Sequence, residues 1–159
     1  MGFTTMHFLF LIVLTSYHVY IVTCADVKDF FKPNSDVNID AFEPYTVQVI
    51  NAKIDNLVVH VSSKDNDFGN KTLQINESFS WSFRMNSPET TAFNGRFFWM
   101  NPDGTPLRVA DFSVFDRYVA EECGENLFKQ NKCFWGVADV GFYFAKGEPN
   151  GWKLKHTWS

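Results

Sequence analysis

Along this chain the hydrophobic and polar positions alternate with a period of two in several separate stretches. The clearest runs from Ser78 to Met85, where Phe79, Trp81, Phe83 and Met85 fall on one side and Ser78, Ser80, Ser82 and Arg84 on the other. That spacing belongs to a strand with one face buried and one wet. The turn formers Asn86, Ser87 and Pro88 follow with Glu89, and then a second aromatic run, Phe93–Trp99. The two runs are expected to pair as a hairpin, the spine of the domain.

Other strands are expected at Tyr45–Val49, Leu57–Val61, Thr72–Asn76, Pro106–Phe115, Phe134–Val137, Val140–Phe144 and Trp152–Trp158. The Pro102-Asp103-Gly104 turn should join Phe97–Met100 to Pro106–Phe115. Ser62–Asn70 reads as a polar loop, and Asp116–Lys132 as a long charged loop with a helical turn near Val119–Glu122. Eight or nine short strands with regular turns predict an all-β chain, a sandwich of two antiparallel sheets.

Composition bounds this picture. At 159 residues the chain suits one domain, and 18% aromatic against 20% charged residues excludes disorder. A formal charge of −4 leaves no basic footprint for nucleic acid.

Residues 1–25 differ from the rest. The apolar run Phe8–Leu14 is followed by Thr15 and Ser16, and no Asp, Glu, Lys or Arg precedes Asp26. This reads as a secretory signal peptide, cleaved after Ala25 or after Cys24; the run is too short for the ~20 residues of a membrane span. Residues 26–44 read as an N-terminal arm and 45–159 as the sandwich domain.

Removal of Cys24 leaves Cys123 and Cys133, an even pair in an oxidising compartment. A disulfide is expected, the alternative being two free thiols with one a nucleophile. Asn70-Lys71-Thr72 and Asn76-Glu77-Ser78 are N-glycosylation sequons. The Asp65–Gly69 stretch invites a calcium reading but lacks the ligand spacing and bidentate Glu of such loops, so a solvated turn is expected. No catalytic motif is present, so neither a catalytic set, a metal nor a cofactor is assigned.

Several segments in order resemble the plant self-incompatibility S-protein homologue family: His60–Gly69, Phe79-Ser-Trp81-Ser-Phe83-Arg84, Thr91–Phe93, Phe97–Trp99, Cys133–Trp135 and Gly141–Tyr143. The resemblance spans about residues 45–157. It implies a small, secreted, disulfide-bonded β-sandwich that acts as an extracellular signal recognised at a cell surface. It also implies a second cysteine pair at the positions of Val61 and Gly95, both absent here; only the Cys123–Cys133 bridge would remain.

The resulting expectation is a secreted, extracellular, monomeric, non-enzymatic recognition protein, binding a plasma-membrane receptor or another extracellular protein through its loops. Candidate contact residues are Lys64, Asp65, Asp67, Glu89, Asp103, Arg117, Glu121 and Glu122. The alternative is a secreted carbohydrate- or cell-wall-binding module.

Overall fold

The computed structural model describes residues 43–85, 90–125 and 129–159, all within the C-terminal unit Asn38–Ser159. The expected signal peptide, residues 1–25, and nearly all of the expected N-terminal arm lie outside the described residues.

Among the described residues nine strands and one helix follow in order: β1 (Pro44–Asn51), β2 (Leu57–Ser62), β3 (Asp67–Leu73), β4 (Ser78–Arg84), β5 (Phe93–Met100), β6 (Pro106–Phe115), α1 (Arg117–Cys123), β7 (Asn131–Val137), β8 (Gly141–Lys146) and β9 (Lys153–Thr157). They form two sheets, β4-β1-β7-β8-β9 and β3-β2-β5-β6. All pairs are antiparallel except β1 with β7, which run parallel. The long excursion from β6 through α1 supplies the crossover that a parallel pair requires.

Alternation sets the core. Val47 and Val49 of β1, Leu57, Val59 and Val61 of β2, and Phe97 of β5 are fully buried. Trp135 and Val137 of β7 and Phe142 and Phe144 of β8 share the sheet of β1 and face β2 and β5 across the core. Each side chain leaves its pleat toward the facing sheet, so the period of two becomes a single apolar layer.

The expected hairpin between the two aromatic runs does not form. β4 pairs with β1, whereas β5 pairs with β2 and β6. The runs do meet, but face to face across the core: the rings of Trp81 and Phe93 are 5.5 Å apart, and those of Phe83 and Phe93 4.8 Å. Two strands with apolar faces satisfy each other in opposite sheets as well as side by side.

The polar Ser62–Asn70 loop also differs from expectation. Asp67–Asn70 belongs to β3, which ends at Leu73, so only Thr72 and Leu73 of the expected Thr72–Asn76 strand are strand, and Gln74–Asn76 form a turn with Glu77. β3 is an edge strand with Leu73 its one buried residue, so it carries no alternating signal. The β5–β6 hairpin stands as expected.

Val61 and Gly95 are direct register partners on β2 and β5. A Cβ at Gly95 would stand 2.6 Å from Val114 Cγ1 and 2.7 Å from the Phe97 ring. The place of a second bridge is therefore filled by packed hydrocarbon.

Candidate interaction surface

The strand registers sort the connections between two ends of the sandwich. The β2–β3 turn, α1 and the 147–152 turn lie at one end, beside the start of β5. The loops 52–56, 74–77, 101–105 and 138–140 lie at the other. Of the candidate contact residues, Lys64, Asp65, Asp67, Arg117, Glu121 and Glu122 share the first end. Asp103 is at the opposite end, and Glu89 lies outside the described residues.

Helix α1 is built locally. Asp116 caps it, its carboxylate accepting from Val119 N at 3.0 Å. Ala120 and Cys123 turn inward and are buried. Cys123 is bonded to Cys133 of β7, with Cα atoms 5.7 Å apart, which confirms the expected disulfide and fastens the helix to the five-stranded sheet. Arg117 and Glu121 form an exposed i,i+4 pair at 3.3 Å, and Glu122 pairs with Lys155 at 2.8 Å. Such exposed pairs contribute little to stability.

Beyond the helix the chain passes close over a buried acid. The Tyr45 hydroxyl donates to the Glu43 carboxylate, and a Cβ on Gly124 would stand 2.6 Å from that hydroxyl. A cavity of about 220 Å³ lies here, between Glu43, Tyr45 and Met85 on one side and Arg117 and Glu121 on the other. A second cleft of about 310 Å³ separates the Ser63–Asn66 turn from Arg84 and Thr90–Phe93.

The turn itself is ordered by Ser63, whose hydroxyl accepts from the backbone of Asn66 at 3.0 Å. This leaves Lys64 and Asp65 at the tip, exposed and in no ion pair among the described residues. Asp67 behaves differently. It is the first residue of β3, and its carboxylate accepts from Gly69 N at 2.8 Å and contacts His60 Nε2 at 2.7 Å. The Gly69 amide, and after it His60, hold its carboxyl below the usual carboxylate range. Asp67 therefore fixes the bulge between β2 and β3. Asp103 is likewise a turn lock: the Thr105 hydroxyl at 2.6 Å, then its amide at 2.8 Å, pull its pKa down.

One residue at this end was not singled out from sequence. Tyr118 is 73% exposed, the most exposed large hydrophobic residue described, with the Arg117 guanidinium 5.7 Å from its ring centre. A seven-residue helix is too short for periodicity to tell an outward tyrosine from a core one.

Both sequons are exposed, Asn70 on edge strand β3 and Asn76 in the β3–β4 turn at φ 69°. Among the described residues no three His, Cys, Asp or Glu side chains converge as a metal site would require.

Fold and surface thus define a class: a small β-sandwich with one disulfide, whose polar chemistry is carried at one loop end. The sequence model of the plant self-incompatibility protein S1 family matches residues 46–158, and the chain belongs to that family. S-protein homolog 1 of Arabidopsis thaliana is 30% identical over 122 residues, covering 71% of this chain and 72% of that protein. S-protein homolog 2 of the same plant is 28% identical over 103 residues, 65% of this chain, and the match spans only 60% of its length. A solved structure of an SPH protein, described as one of a widespread family of small, highly stable, secreted plant proteins, aligns at TM-score 0.49 and 12% identity. That alignment covers 74% of this chain and 96% of the other.

Proposed function

We propose that the protein is secreted and acts as a non-enzymatic extracellular ligand for a cell-surface partner, a plasma-membrane receptor or another extracellular protein. The observation that carries this reading is the surface at the α1 end. An exposed Tyr118 beside Arg117 shares that end with Lys64 and Asp65, whose charges are in no ion pair among the described residues. Tyr and Arg are the residues that most often dominate binding energy at protein interfaces, and unpaired rim charges steer encounter.

The non-enzymatic part rests on what the chemically capable groups are doing. Both described cysteines are joined in the disulfide. His60 is held by Asp67, and His156 stacks on Phe112 at 4.1 Å. Burial, with a smaller effect from Lys155, lowers the His156 pKa. Glycans on Asn70 and Asn76 would stand at β3 and the β3–β4 turn, leaving α1 uncovered.

The test is saturable binding of the labelled, secreted chain to intact plant cells. Lys64→Glu combined with Tyr118→Ala should lower affinity at least tenfold, with the thermal unfolding midpoint unchanged because neither side chain is buried. Binding that survives protease shaving of the cells, or that ignores both substitutions, would remove the protein-receptor reading.

A further inference from the structure

Among the described residues Glu43 is the only charged one that is buried, at 9% exposure. A carboxylate taken out of water ordinarily sits beside a cation that replaces the lost solvation. Glu43 has no such neighbour, as it is in no ion pair among the described residues. Its side chain has one partner, the Tyr45 hydroxyl, which donates to Oε2. The other oxygen, Oε1, accepts from no described group.

The surroundings hold this acid in place. Met85 N donates to Glu43 O at 3.1 Å, tying the residue before β1 to the one after β4. The Tyr45 ring packs edge-on against Phe115 with centroids 4.9 Å apart, so the core aims its hydroxyl. Just past α1 the chain crosses both groups at Gly124. A Cβ there would stand 2.6 Å from the Tyr45 hydroxyl and 3.1 Å from Glu43 Oε2. Any side chain at that point would fall on the pair. What is left open is the cavity of about 220 Å³. Tyr45, Met85 and Ala120, all buried, wall it; Arg117 and Glu121, with side chains 60% and 62% exposed, form its mouth. It is smaller than the roughly 300–1,000 Å³ of small-molecule sites, and suits one inserted side chain.

We propose that this cavity receives a lysine side chain of the cell-surface partner, whose ammonium pairs with Glu43. The proposal rests on the reading that the α1 end meets that partner. The apolar walls take the hydrocarbon stem and the acid at the floor takes the charged head, the two halves of a lysine side chain. Lysine rather than arginine follows from the oxygen count. With Oε2 taken by Tyr45, Glu43 offers one oxygen, and a guanidinium cannot form its two-point fork. An ammonium can donate to Oε1 and to the Tyr45 hydroxyl oxygen together. The lining charges also favour a cation, since Glu43 and Glu121 face Arg117 alone. Arg117 does not fill the site itself: its Nε is 3.3 Å from Glu121, and its guanidinium lies over the Tyr118 ring.

The experiment follows backbone amide shifts of the purified secreted chain during titration with Nα-acetyl-lysine N-methylamide. The corresponding arginine and Nε-acetyl-lysine compounds run alongside. Saturable shifts at Glu43 and Gly124 are expected with the lysine probe, binding about threefold weaker or less with arginine, and none with the neutral compound. Glu43→Gln, which keeps an acceptor for Tyr45, should weaken the lysine probe about tenfold or more. Arg117→Ala, at an exposed position, removes the competing cation and should tighten it about threefold. Glu43→Gln should also lower binding to intact plant cells about tenfold, whereas Lys64→Glu with Tyr118→Ala should leave the probe's affinity unchanged. Cells that bind nothing while the probe still binds would overturn the receptor reading alone. A cavity that holds only water gives no saturable shift. That result, equal binding of all three compounds, or indifference to both Glu43→Gln and Arg117→Ala, would overturn the lysine pocket and leave the receptor reading standing.

Discussion

The two flanks of the sandwich are held together in different ways. On the β6/β9 flank the ties between sheets are directional. Trp135 of β7 donates its indole N–H to Val114 O of β6 at 2.8 Å, and the backbone of Ser159 donates to Val109 O of β6 at 3.1 Å. Trp158 donates to Ala138 O at 2.8 Å while its ring packs on Trp99 of the other sheet. The disulfide adds a covalent link between the helix that leaves β6 and the strand β7. On the β3/β4 flank the corresponding space is filled by rings. Phe68 packs on Phe79 at 5.6 Å, on Trp81 at 5.8 Å and on Phe93 at 6.1 Å, and the buried Trp81 N–H has no hydrogen-bond partner among the described residues. Area alone tolerates small shifts, because dispersion and burial have no preferred direction. Register on that flank must therefore come from something else.

That something is Asn51, at the end of β1 and fully buried. Its amide donates to Ile54 O at 2.7 Å and to Leu73 O of β3 at 2.9 Å, and its carbonyl accepts from Ile54 N at 2.8 Å. Its backbone also bonds Glu77 and Asn76 in the β3–β4 turn. One side chain thus joins the two sheets and shapes two loops. Asn51→Ala strands a buried amide and two carbonyls, and should cost about 4 kcal/mol, the largest effect expected of any single substitution considered. Urea unfolding measures it, as a lower midpoint with an unchanged slope. A loss under about 1 kcal/mol would mean that the aromatic cluster sets the register of this flank unaided.

The other flank has redundant ties, so its covalent one should matter less. Replacing Cys123 and Cys133 together by Ala removes a loop constraint over a sequence separation of 10 residues, worth about 3 kcal/mol on the chain-entropy model. The loss should add to that of Asn51→Ala, since the two sites share no hydrogen-bond partner. Strong coupling in the combined variant would show that the flanks are one cooperative unit and would break the distinction.

Much of this architecture is legible from the chain, and the exceptions have physical causes. β1, β2 and β5 carry plain alternation because each has one face on the core. β3 does not, since an edge strand with four of its seven residues exposed and one buried has no pattern to show. The partner of β4, which is β1 and not β5, is hidden for a subtler reason: alternation states that Phe79, Trp81 and Phe83 share a face, not which strand lies beside them. The candidate surface was half legible. Charge and turn chemistry picked out Lys64, Asp65 and Arg117, but they picked out Asp103 equally, and only the strand registers place it at the opposite end. Asp67 and Asp103 share a further lesson, as each carboxylate is committed to its own turn. Composition cannot distinguish such an aspartate from one offered to a partner.

The smallest effects test the comparison most directly, because they use the same substitution on both flanks. Trp135→Phe removes a donor from a satisfied pair and leaves Val114 O buried without it, for a loss of about 2 kcal/mol including the missing ring area. Trp81→Phe also loses ring area, but it removes a donor that has no acceptor, and relief of that desolvation offsets most of the cost. The expected net change is about 0.5 kcal/mol or less. Thermal unfolding of the two variants under one buffer condition separates them, with the Trp135→Phe midpoint several degrees lower. Equal losses would show that Trp81 is bonded as well as packed, and the flank assigned to ring packing would then be held by the same directional chemistry as the other.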